Sequence, residues 1–133
     1  MQKNVLDIYF ADKARAFPVS DDLKGFEDCC YWLFSDDVSP RVARARNDVP
    51  YIIVDGLNDK EKELVKQQIY ERLKAGDFKE IYVVILVYWK EKTAIPLLKH
   101  YAKDFKIRNK APHCDFSFEI RLCQDAIKML QDT

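Results

Sequence analysis

The sequence predicts an all-α protein, a single domain over residues 1–133 built as a stack of about six or seven helices. Three observations point there. Apolar residues recur at i, i+3, i+4 and i+7 in most segments, the spacing of one helix face. Capping residues and prolines fall where such segments begin and end. Only 3 Gly and 5 Pro occur in 133 residues, too few for the many turns of an all-β fold, while 48% hydrophobic and 13% aromatic residues supply a core.

From the N-terminus, residues 3–16 carry a weak helical pattern that Pro18 ends. Ser20 is the expected cap of "DDLKGFEDCCYWLF", in which Leu23, Phe26, Cys30 and Leu33 form one apolar stripe. "SDDVSP" breaks it. Ser39 followed by Pro40 reads as a cap and first helical residue for "RVARAR", and Pro50 breaks or kinks that helix before "YIIVDGL". The strongest helix is "NDKEKELVKQQIYERLKAGD". Asn58 caps it, acids fill its first turn, Val65, Ile69 and Leu73 line its inner face, and Gly76 sits just past its end.

"FKEIYVVILVYWKEK" fits either helix or buried strand by propensity, since Tyr82 to Trp89 is β-branched and aromatic. No neighbouring stretch offers a strand partner, and a lone buried strand would leave its backbone unpaired. The segment is therefore expected to be a central helix, apolar on nearly every side because other helices flank it. In "TAIPLLKHYAKDF", Thr93 is expected to cap a helix whose first turn holds Pro96, where a missing N–H costs no hydrogen bond. Ile95, Leu98, Ala102 and Phe105 then face the core. After the loop "KIRNKAPHCDFS", Ser117 is the expected cap of a last helix with Phe118, Leu122, Ala126 and Met129 inward.

"AIPLLKHYAKD" resembles the first helix of a HEAT repeat, through Ala94, Pro96, Leu98 and Asp104. "EIRLCQDAIKML" is similar to the second helix, through Ile120, Arg121, Ala126 and Ile127. "DVPYIIVDGLND" echoes the first, with Pro50, Ile52 and Asn58 standing 46 positions before Pro96, Leu98 and Asp104, a spacing within the HEAT and armadillo range. The resemblance covers roughly residues 48–74 and 93–131. It implies a HEAT-like or irregular α-α superhelix, and a scaffold that binds protein or, in some cases, nucleic acid without chemistry of its own.

The 22 basic and 22 acidic residues cancel, so net charge gives no overall pull toward nucleic acid or anionic membrane. Residues 1–38 nonetheless hold eight acids against four bases, a net of −4, which leaves +4 on the rest of the chain. The four cysteines follow no strong zinc spacing, and His113–Cys114 with Cys123 is the sole local cluster of ligand types. No basic stretch followed by an apolar core opens the chain, and the longest apolar run, at 81–89, is too short to span a bilayer. A reduced, cytoplasmic setting is expected, with the thiols acting as small core residues. No nucleophile elbow, phosphate-cradling glycine loop or His-Glu-x-x-His is present. An enzyme would have to draw on His100, Cys114 or distant carboxylates. No metal site, cofactor or catalytic residue is expected.

The leading expectation is a non-catalytic protein-binding module, and within that class a bacterial immunity protein that neutralises a cognate toxin. Immunity proteins are commonly compact, single-domain and catalytically silent, and some take helical-repeat forms. Asp21, Asp22, Glu27, Asp28, Asp36 and Asp37 would face a basic toxin domain, with Tyr31 or Trp32 as aromatic anchors. The alternative is a nucleic-acid-binding helical module. Lys99, Lys103, Lys106, Arg108 and Lys110 would hold phosphates, with Tyr101, Phe105 and His113 interleaved as stacking groups.

Overall fold

A computed structural model describes residues 4–10, 25–36, 55–110 and 115–133. Among these residues every regular element is helical and none is a strand. The α-helices are α1 (Asp7–Phe10), α2 (Gly25–Phe34), α3 (Asp59–Lys74), α4 (Glu80–Tyr88), α5 (Ile95–Arg108) and α6 (Ser117–Gln131), with a 3₁₀ turn at Lys92–Ala94 leading into α5. The expected cap Ser20 and the expected helix "RVARAR" lie outside the described residues. The chain forms two compact units, residues 1–8 with 83–133 and residues 9–82, whose boundary falls inside α4.

In the unit of residues 9–82, α3 has the ends its sequence dictates. The Asn58 side chain accepts from Glu61 N–H at 2.8 Å, and the Glu61 carboxylate accepts from Asn58 N–H at 2.9 Å. This reciprocal box satisfies two of the N–H groups a helix start leaves open, a contribution of roughly 1 kcal/mol. At the other end Gly76, at φ 89°, lets its own N–H reach Leu73 C=O at 3.1 Å while Asp77 N–H reaches Arg72 C=O at 2.9 Å. Val65, Ile69 and Leu73 are buried, as their four-residue spacing requires.

α2 is rotated from expectation. Its buried side chains are Cys29, Trp32, Leu33 and Phe34, while Phe26 and Cys30 are half-buried. The expected stripe counted Cys30 inward, but the residue before it faces the core. Trp32 explains the shift, because covering the largest apolar side chain turns the helix so that Cys29, three residues earlier, goes in with it. The C-terminal end of α2 is tied to α3 and the segment after it. Phe34 lies 5.8 Å from the Tyr82 ring, the Arg72 guanidinium stands 4.9 Å over Phe34, and the Tyr82 hydroxyl donates to Leu33 C=O at 3.4 Å.

α4 is a helix, and Ile81 to Val87 are all buried. A helix satisfies its own backbone, so the β-rich composition could be overridden without a sheet partner. It ends with the same bond pattern as α3, Lys90 N–H to Val87 C=O and Glu91 N–H to Leu86 C=O, both 2.9 Å. Here the left-handed residue is Lys90, at φ 56°.

In the unit of residues 1–8 and 83–133, α5 packs against α6. Leu98, Tyr101, Ala102 and Phe105 are the buried face of α5, so Tyr101 takes the place expected for the half-buried Ile95. Thr93 does not cap α5. The 3₁₀ turn intervenes, the cap position is Ala94, and the Thr93 hydroxyl donates to the Glu91 carboxylate instead. Pro96 lies in the first turn of α5 as expected.

In α6 the buried residues are Leu122, Cys123, Ala126 and Leu130, with Phe118 exposed and Met129 half-buried. Ser117 is the first helical residue rather than the cap, and Asp115 accepts from its N–H at 3.0 Å. Val5 N–H donates to the Asp125 carboxylate at 2.8 Å, which fastens the N-terminal residues of this unit to α6 beside the fully buried Leu6.

Candidate functional site

The acidic constellation centres on α2. Burying Trp32 and Cys29 leaves the opposite side of the helix outward, and Glu27 and Tyr31, one turn apart, occupy it. Tyr31 is 37% exposed. Asp28 is half-buried at the flank of that face. Trp32 is fully buried, so it is a core residue and not the surface anchor the sequence suggested. An indole at the heart of a helix interface holds α2 in orientation and presents nothing to a partner. Asp36, just past the helix, is exposed and stands 3.7 Å from Lys79, which also approaches Asp77 at 3.9 Å. Asp21, Asp22 and Asp37 lie outside the described residues. Leu64 on α3, in the same unit, adds an exposed apolar side chain at 40%, which sequence reasoning had not singled out.

The basic constellation divides. Lys99, Lys103 and Lys106 are exposed on a flank of α5 adjoining the buried Leu98, Ala102 and Phe105, and Lys110 is exposed in the turn that follows. Arg108 is engaged within the fold. Its Nε donates to the Asp104 carboxylate at 3.0 Å, and its guanidinium stands 4.8 Å over both the Phe105 and Phe116 rings, themselves 5.2 Å apart. Arg108 therefore fastens the end of α5 to the start of α6. The expected stacking groups are not available. Tyr101 and Phe105 are 5% and 3% exposed, and their rings pack on each other at 5.8 Å. The core took them because their spacing matches its face. His113 lies outside the described residues. His100 is exposed, with its ring edge-on to Tyr101.

Among the described residues the thiols are chemically quiet; Cys114 lies outside them. Burial pushes the Cys29 thiol up to about 12, with the neighbouring Cys30 and Glu61 adding to the effect. Cys123 is pushed to about 12 by burial and then by Glu119. Burial also raises Cys30, partly offset by a weak hydrogen bond from the Gln68 amide at 3.8 Å. A thiolate is the reactive form, and these environments oppose it. Among the described residues no group of three or more His, Cys, Asp or Glu side chains is placed to hold a metal ion, and no helix is long and apolar enough to cross a membrane.

Comparison with protein-family models, with curated proteins and with solved structures found no match for this chain.

Proposed function

We propose that this chain is a non-catalytic protein-binding module, and specifically an inhibitor of the immunity type that holds a basic toxin domain. The observation that carries the reading is the outward face of α2. Glu27 and Tyr31 stand together on a helix whose other side is fixed by Trp32 and Cys29 and whose end is clamped through Phe34, Arg72 and Tyr82. A partly exposed tyrosine beside carboxylates on a rigid helix is the composition from which binding hot spots are built. The ring supplies area at little entropic cost, and the carboxylates steer a basic partner and fix its register. The excess of four negative charges over residues 1–38 extends the same electrostatic preference. The HEAT-like resemblance of residues 48–74 and 93–131 agrees with a scaffold role.

A photo-crosslinking amino acid placed at Tyr31, in cells that make the protein naturally, is the direct test. The expected result is one discrete adduct, absent when the same group replaces exposed Lys128 on α6. The partner so identified should be toxic when expressed alone. Co-expression of the wild-type chain should rescue growth, and the Glu27→Lys, Tyr31→Ala variant should not. An adduct from both positions alike, or rescue by the double variant, would overturn the assignment to this face.

A further inference from the structure

We infer that the outward stripe of α5 is a second docking surface, for an acidic amphipathic helix of another protein. Lys99, Lys103 and Lys106 recur at i, i+4 and i+7, so they lie along one side of the helix over about 10 Å, and Lys110 follows in the turn after it. The stripe runs along one flank of α5, about 100° around the axis from the buried Leu98, Ala102 and Phe105, each of which directly precedes one of the three helical lysines. Among the described residues none of the four lysines is in an ion pair, and the one acid within α5, Asp104, is committed to Arg108. Neighbouring ammonium groups along the flank repel one another, and a surface that brings carboxylates at matching spacing relieves that repulsion.

Ile107 decides the class of partner. It is 59% exposed, the most exposed of the large apolar side chains among the described residues, and it lies beside the lysines, one turn beyond Lys103 and three residues before Lys110. A phosphate backbone has no use for an isoleucine, and the aromatic rings that could have stacked bases are buried. A lipid surface asks for a continuous apolar face, and that of α5 is spent on the fold. An acidic helix with an apolar seam satisfies both features, laying carboxylates along the lysines and covering Ile107. This surface is argued from α5 alone and stands independently of the α2 reading.

The test is a fluorescence-anisotropy titration of the full chain against three labelled probes. They are a synthetic helical peptide with glutamates flanking a leucine seam, poly-L-glutamate, and a single-stranded oligonucleotide. The peptide is expected to bind most tightly. Lys103→Glu with Lys106→Glu should weaken it by about tenfold or more, and Ile107→Ala by several-fold. Poly-L-glutamate should feel the charge reversals and ignore Ile107→Ala. All three side chains are exposed, so circular dichroism should show the variants folded. Lys128→Glu on α6 serves as the control for net charge and should leave binding unchanged. The inference is overturned if Lys128→Glu weakens the peptide as much as the α5 reversals do. It is equally overturned if the oligonucleotide binds more tightly than the peptide and is indifferent to Ile107→Ala.

Discussion

The two helix ends at Gly76 and Lys90 share one backbone geometry and differ in the residue that must adopt it. At the end of α3 the left-handed position holds Gly76, φ 89°; at the end of α4 it holds Lys90, φ 56°. In both, the residue's own N–H and the following N–H bond back to two carbonyls of the last turn, at 2.9 to 3.1 Å. A residue with a Cβ pays about 1–2 kcal/mol to enter this region, and glycine does not. An added Cβ at Gly76 meets nothing within 4 Å, so Gly76→Ala introduces backbone strain without a clash. The expected loss is about 1–2 kcal/mol, less what alanine recovers by restricting the unfolded chain, roughly 0.4–1 kcal/mol. Lys90→Gly runs the other way. It removes the strain and loosens the unfolded chain, for a net gain of about 0.5 kcal/mol. Urea unfolding followed by far-UV circular dichroism reads both as shifts in midpoint at constant slope. Gly76→Ala should lower the midpoint and Lys90→Gly should raise it. A neutral Gly76→Ala, or a Lys90→Gly that destabilises, would refute the claim that a Cβ at the left-handed position strains these ends.

Two further outcomes follow from burial. Trp32→Ala should destabilise by about 3–5 kcal/mol in the same urea assay, because it empties the centre of the α2 interface, whereas Tyr31→Ala should change stability by less than about 1 kcal/mol. A surface role for Trp32 would give the opposite ranking. Cys29 and Cys123 have folded-state pKa values of about 12, raised from 9.0. A raised pKa means the native state keeps its protons longer than the unfolded chain does. The stability these thiols contribute is therefore fully present below pH 9 and is lost as pH rises toward about 12. Alkaline unfolding profiles of the wild type and of a Cys29→Ala, Cys123→Ala variant should converge as pH climbs through that window. Parallel profiles would show that the thiols are not protected.

The α5 face shows how a functional expectation can be half readable. The lysines at 99, 103, 106 and 110 are legible as surface, because they share one helical spacing that the core residues Leu98, Ala102 and Phe105 do not. Arg108 differs from them as an arginine placed four residues after Asp104, which permits the i,i+4 pair but does not foretell the two rings beneath the guanidinium. Its commitment to Asp104, Phe105 and Phe116 depends on the turn that brings α6 back along α5. Phe105 reads both as core and as a stacking group and Tyr101 as a stacking group, and the core takes both, as their periodicity with Leu98 allows.

The sequence by itself determined the helical class, the capping box at Asn58 and Glu61, the Gly76 end and the inward side of α3, because these depend on bonds and spacings within a few residues. For α4 the sequence only favoured a helix, through the lack of a strand partner, and the structure decided between helix and buried strand. Tertiary structure decided the rotation of α2 and α6, where adjacent apolar residues offer two nearly equivalent faces. In α2 either Cys29 or Cys30 could have turned inward, and in α6 either Phe118 and Met129 or Cys123 and Leu130. Propensity is indifferent between faces one residue apart. The neighbour that each helix meets is what separates them, by the area of the side chains it can cover.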